Sequence, residues 1–76
     1  MDVSRIERRI RDKIVQLRKD RGLTQEDFDT EPNPIPPRTI QRYEQAAEPN
    51  IELKTLLKIA EKLGVSPAEL LNVDLE

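Results

Sequence analysis

The chain has no cysteine and no histidine. Disulfides are excluded, and a zinc site loses its two main ligands. The commonest general base is missing too, so histidine-based triads are out. Glycine occurs only at Gly22 and Gly64, which leaves no glycine-rich phosphate loop. No apolar run approaches the roughly 20 residues that span a bilayer. The first residues are charged from Asp2 onward and are unlike a secretion signal. The carboxylates are scattered and no nucleophile has a base beside it, so nothing suggests an enzyme. A soluble cytoplasmic chain without metal, cofactor or membrane partner is expected. Its 76 residues make one domain with a modest core. Stability of about 5 kcal/mol is expected for that size.

Net charge is only −2, but its distribution is uneven. Residues 1–21 hold eight Lys/Arg against four Asp/Glu, whereas residues 46–76 hold three Lys against six Asp/Glu. A small domain of this kind can meet phosphates with one face while its other end is acidic.

Val3, Ile6, Ile10, Ile14 and Leu17 recur at helical steps and predict a first amphipathic helix. Ser4 and Glu7 form a capping-box pattern at its start, and Gly22 suits a left-handed C-terminal cap. Arg8 and Asp12 are i,i+4 neighbours on its outer face. Thr24 reads as the cap of a short second helix, with Asp27 at its third position and Leu23 and Phe28 as a hydrophobic staple. Pro32, Pro34, Pro36 and Pro37 make the next stretch a stiff connector. A PxxP-type ligand is formally open there, but Ile35 reads as a buried plug.

Pro37 fits the first position of a third helix. In that helix Ile40 and Tyr43/Glu44 share one face, and Arg38 and Arg42 share another with Gln41 beside them. Two guanidinium forks and an amide pointing outward together are the chemistry that reads base edges in a major groove. Alone, the stretch reads more readily as a solvated face with two arginines. Leu53, Leu56, Leu57, Ala60 and Leu63 mark a fourth helix, capped by Asn50 or Glu52 and stopped by Gly64. Ser66, Pro67 and Glu69 start a fifth. The reading is all-α and compact. Its helices span about 4–21, 25–31, 37–46, 51–63 and 67–72, followed by a short tail.

Three blocks in this order carry a family resemblance. They are Ile14–Phe28, Arg38–Glu44 and Leu53–Leu71. Together they resemble the lambda-repressor-like, Cro/C1-type (XRE) helix-turn-helix family over about residues 6–72. The resemblance implies sequence-specific binding of double-stranded DNA by a transcriptional regulator, a repressor of prokaryotic or phage type. Helix 37–45 would enter the major groove. Arg38, Gln41 and Arg42 then stand where the family reads bases. Gln25, Thr39 and Lys54 match phosphate contacts. Arg18 and Glu44 match a structural ion pair that joins the first helix to the recognition helix.

Departures from the pattern are concentrated around the turn. Asp29 replaces a usual alanine, and the proline-rich connector replaces a usual glycine. One extra residue lies between Gln25 and Ile40, and Ala46 replaces the glycine after the recognition helix. A homodimer is expected, since such proteins bind two half-sites, and Leu70, Leu71, Val73 and Leu75 supply apolar surface. The alternative is an antitoxin-like or adaptor module that binds a protein partner through its acidic C-terminal half.

Overall fold

The structure, a computed structural model, describes residues 1–76. Helix α1 spans Val3–Asp20, and a 3₁₀ turn covers Gln25–Phe28. Helix α2 is Pro37–Gln45, α3 is Leu53–Leu63 and α4 is Pro67–Leu71. There is no strand, and the fold is all-α.

Asp2, not Ser4, caps α1: its Oδ1 accepts the Arg5 amide at 3.1 Å. Both residue types cap well, but Asp2 places a carboxylate at the positive end of the helix dipole and lengthens the helix. Gly22, at φ +67°, ends α1 as expected. The Leu23 amide returns to the Arg18 carbonyl at 3.1 Å and the Gly22 amide to that of Lys19 at 3.0 Å. These two bonds satisfy carbonyls that the helix end leaves open. Gly64, at φ +71°, closes α3 with the same pair of bonds, from Val65 to Ala60 and from Gly64 to Glu61.

The second segment is shorter than its sequence predicts. Instead of a helix over 25–31, one 3₁₀ turn ends at Phe28. Its start is as read: the Thr24 amide donates to Asp27 Oδ2 at 2.7 Å. Its end is set from outside. The Ile35 amide donates to the Phe28 carbonyl at 2.9 Å, which folds the connector back onto the turn. Ile35 and Phe28 are both buried, so core contact outweighs another helical turn in this proline-rich stretch.

Ten residues form the core: Ile14, Phe28, Ile35, Ile40, Tyr43, Leu56, Ile59, Ala60, Leu63 and Leu70. Two expectations about its membership fail. Val3 lies beyond the covered part of α1, and Leu53 and Leu57 point to solvent while Ile59 faces in. An eleven-residue helix this rich in apolar side chains cannot bury all of them, and the neighbours choose the phase. α3 also starts two residues later than expected, with Glu52 at the cap position and no side-chain cap bond. α4 packs against α1 and α3, and Ser66 Oγ accepts the Glu69 amide at its start. The tail lies along α1: Lys13 holds the Asn72 carbonyl at 2.9 Å, and Arg9 holds those of Asp74 and Glu76.

Candidate nucleic-acid interface

Helix α2 is held from behind and bare in front. Pro37 opens it, with φ already fixed at a helical value. Ile40 and Tyr43 anchor it in the core. The phase that buries them turns Arg38, Thr39, Gln41 and Arg42 outward, and all four are exposed. Arg38 and Arg42 take part in none of the five ion pairs of the chain.

The inner flank of α2 carries Glu44. Arg18 meets it with two bonds, Nε to Oε2 at 2.7 Å and Nη2 to Oε1 at 3.0 Å. The same Oε1 accepts Gln25 Nε2 at 3.0 Å. Arg18 Nη1 reaches the Leu23 carbonyl at 2.8 Å. One network thus ties together α1, the 3₁₀ turn and α2. The two charged side chains are only 12% and 9% exposed, so the pair is nearly dry and nearly saturated. Its contribution is orientation more than net stability, because desolvation offsets much of the attraction. One of the two amide protons of Gln25 is committed to Glu44; the other is available at the start of the 3₁₀ turn.

Arg11 lies seven residues before Arg18, on the same face of α1. Its Nη1 donates to the Glu44 carbonyl at 3.2 Å and the Ala46 carbonyl at 2.7 Å. This closes the C-terminal end of α2 with a cation, where the dipole favours one. Arg11 Nε takes Asp12 at 2.7 Å, so Asp12 pairs with Arg11 rather than with Arg8. Arg8 instead lies 3.6 Å from Glu48, in the loop after α2. Tyr43 packs below this end. Burial is the largest cause that pushes its phenol up to about 12; Arg11 pulls it down, and Glu7 and Asp12 add to the rise.

The helix starts differ in a way that matters for anions. Side chains cap α1 and α4, and Asp27 holds the Thr24 amide at the 3₁₀ turn. α2 and α3 have no side-chain cap. In α2, Pro37 has no N–H and the Thr39 amide donates to the Pro36 carbonyl at 2.9 Å, which leaves the Arg38 amide open. The first three amides of α3 are all open to a phosphate. A cleft of about 330 Å³ separates α2 from α3, lined by Thr39, Arg42, Glu48, Asn50, Glu52 and Thr55. Lys54 is not part of it. Lys54 lines a smaller groove on α3 with Asn33, Lys58 and Glu61. The structure therefore groups Arg38, Thr39, Gln41 and Arg42 on one face and joins Arg18, Glu44 and Gln25 behind it, while Lys54 stands apart.

The result is a helix anchored on its inner face and uncovered on its outer one. A helix-turn-helix family model matches residues 14–70, about three quarters of the chain. The protein belongs to the Cro/C1-type helix-turn-helix family. No curated protein and no solved structure matches it. The family is one of DNA-binding transcription regulators, not of enzymes. In this Cro/C1-type domain the helix pair of the motif is the 3₁₀ turn and α2, joined by residues 29–36. No helix is long and apolar enough to cross a membrane.

Two residues of the site have no counterpart among the sequence expectations. Arg11 is legible only through its heptad spacing from Arg18. Lys62, on the last turn of α3, donates to Thr30 and Pro32 of the connector, and nothing in the sequence points there.

Proposed function

We propose that the domain is a sequence-specific transcriptional regulator, acting as a repressor, with α2 inserted in the major groove of double-stranded DNA. The observation that carries this reading is the unpartnered outward face Arg38, Gln41 and Arg42, on a helix whose inner face is gripped by Arg18 and Arg11. Arg38 and Arg42 each offer a bidentate fork to guanine, and Gln41 offers an amide to adenine, at roughly 1–3 kcal/mol of discrimination per good contact. Gln25 and Thr39, the Arg38 amide, the open amides at the start of α3, and Lys54 set the register on phosphates.

A homodimer is part of the proposal. Ile10, Pro49, Ile51, Leu53, Leu56 and Leu71 line an apolar groove of about 240 Å³. Leu53 and Leu71 stand 68% and 50% exposed at its rim, which suits a second copy on a two-fold axis. Two copies would read half-sites about 34 Å apart, one turn of DNA. The cytoplasm is the compartment this reading implies. The same exposed leucines support the second reading, an antitoxin-like or adaptor module whose protein partner covers them.

A binding selection against randomised duplex DNA tests the proposal, run at two salt concentrations beside an Arg38→Ala/Arg42→Ala control. An enriched, roughly palindromic motif absent from the control is expected. Equal, weak and strongly salt-sensitive binding by both proteins would reduce the reading to non-specific attraction.

A further inference from the structure

Lys62 has its whole head group engaged, and every partner lies in the connector before α2. Its Nζ donates to the Thr30 carbonyl, to Thr30 Oγ1 at 3.2 Å and to the Pro32 carbonyl at 2.6 Å. An ammonium has three protons, so these acceptors saturate it. No carboxylate shares the contact, and the lysines before it on α3, Lys54 and Lys58, belong to none of the ion pairs. Beside it, Asn33 Nδ2 meets Glu61 Oε1 at 3.4 Å. Residues 30–33 are therefore fastened to the last turn of α3. Downstream stand Pro34, Pro36 and Pro37, with Ile35 buried between them. Proline has a fixed φ, so this stretch passes a direction on instead of absorbing it.

We propose that Lys62 is a positioning residue. It sets the direction in which α2 leaves the turn, and so the register at which Arg38, Gln41 and Arg42 meet base edges. The inference rests on the DNA-reading function above. The contacts of Lys62 are exposed, so they add little to global stability. Burial of Phe28 and Ile35 already secures the fold of this region. The effect of Lys62 belongs in discrimination between DNA sequences, not in melting.

The test compares Lys62→Met, which keeps the stem and removes the donors, with Lys62→Arg, which keeps a cation that can reach carbonyls. Amide hydrogen exchange supplies a readout that needs no DNA. Lys62→Met is expected to speed exchange at Ile35, Thr39 and Ile40 by about tenfold, leaving the α1 amides and the melting midpoint close to wild type. It is also expected to lower the affinity ratio of the selected motif over random duplex by about tenfold, the size of one lost base contact. Lys62→Arg should restore most of that ratio. Unchanged exchange in Lys62→Met would overturn the inference, as would faster exchange with an undiminished ratio. A wild-type protein that selects no motif would sink the DNA reading instead. Exchange alone would then decide whether Lys62 holds α2.

Discussion

Arg18 and Glu44 face each other across α1 and α2 with two bonds, at 2.7 and 3.0 Å, from a side-on guanidinium to both carboxylate oxygens. An exposed pair at such distances would be worth about 0–1 kcal/mol. Here Gln25 and the Leu23 carbonyl complete the shell, and both side chains are close to fully covered. Glu44→Ala leaves Arg18 with its charge and no anion. The expected loss is about 3 kcal/mol, the range for breaking a buried pair from one side. Urea denaturation measures it, and a change below 1 kcal/mol would place the pair in the exposed class.

Arg42 is the opposite case. It stands on the same helix, in no ion pair, at the edge of the cleft between α2 and α3. Arg42→Ala is expected to change stability by no more than about 0.5 kcal/mol. Affinity for a selected duplex should fall by an amount worth about 1–3 kcal/mol. Fluorescence anisotropy and a thermal melt on the same sample separate the two effects. A large loss of stability would make Arg42 structural.

Phe28 is 1% exposed and is the anchor of the 3₁₀ turn. Phe28→Ala should cost about 3–5 kcal/mol, most of what a domain of this size has. Phe28→Leu keeps more of the volume and should cost less than about 1.5 kcal/mol. Chemical denaturation of both variants checks the order. A near-neutral alanine variant would contradict the burial.

Tyr43 gives a pH dependence with a definite sign. Its folded phenol is raised from 10.0 to about 12, chiefly by burial. The folded state thus holds the proton more tightly than the unfolded chain. The stability this confers is complete below pH 10 and is lost as pH rises toward 12. Phenolate absorbance should titrate near 12 in the folded protein, and the stability of Tyr43→Phe should fall less steeply over that window. A titration midpoint near 10 in folded protein would show the ring to be solvated.

Helical phase made part of this site legible. Steps of three and four residues place Arg38, Gln41 and Arg42 opposite Ile40, Tyr43 and Glu44 whatever the tertiary fold, and Pro37 and Gly22 mark the ends. The length of the second segment was hidden, because Thr24, Asp27 and Phe28 serve a 3₁₀ turn as well as an α-helix. What stops it is the Ile35 amide on the Phe28 carbonyl, a contact between residues with no pattern linking them. Lys62 and Arg11 were hidden for a related reason: their acceptors are backbone carbonyls, which every residue carries. Leu53 and Leu57 misled in the other direction, since hydrophobicity does not say which of several faces the neighbours will cover.

The cations of α1 bear on how fast the domain finds its target. Arg8, Arg9, Arg11, Lys13 and Arg18 each lie against a carboxylate of the same chain. Five of the eight cations in residues 1–21 are thereby offset by nearby carboxylates, four of which lie outside that stretch, and the chain as a whole is −2. Little field reaches beyond one Debye length, about 8 Å at physiological salt, to pull the domain toward a polyanion. Its association with DNA is then governed by collision and rotational search rather than by long-range attraction. The on-rate should sit near the unsteered range of about 10⁵–10⁶ M⁻¹s⁻¹, so that occupancy of a site is decided by how long the domain stays.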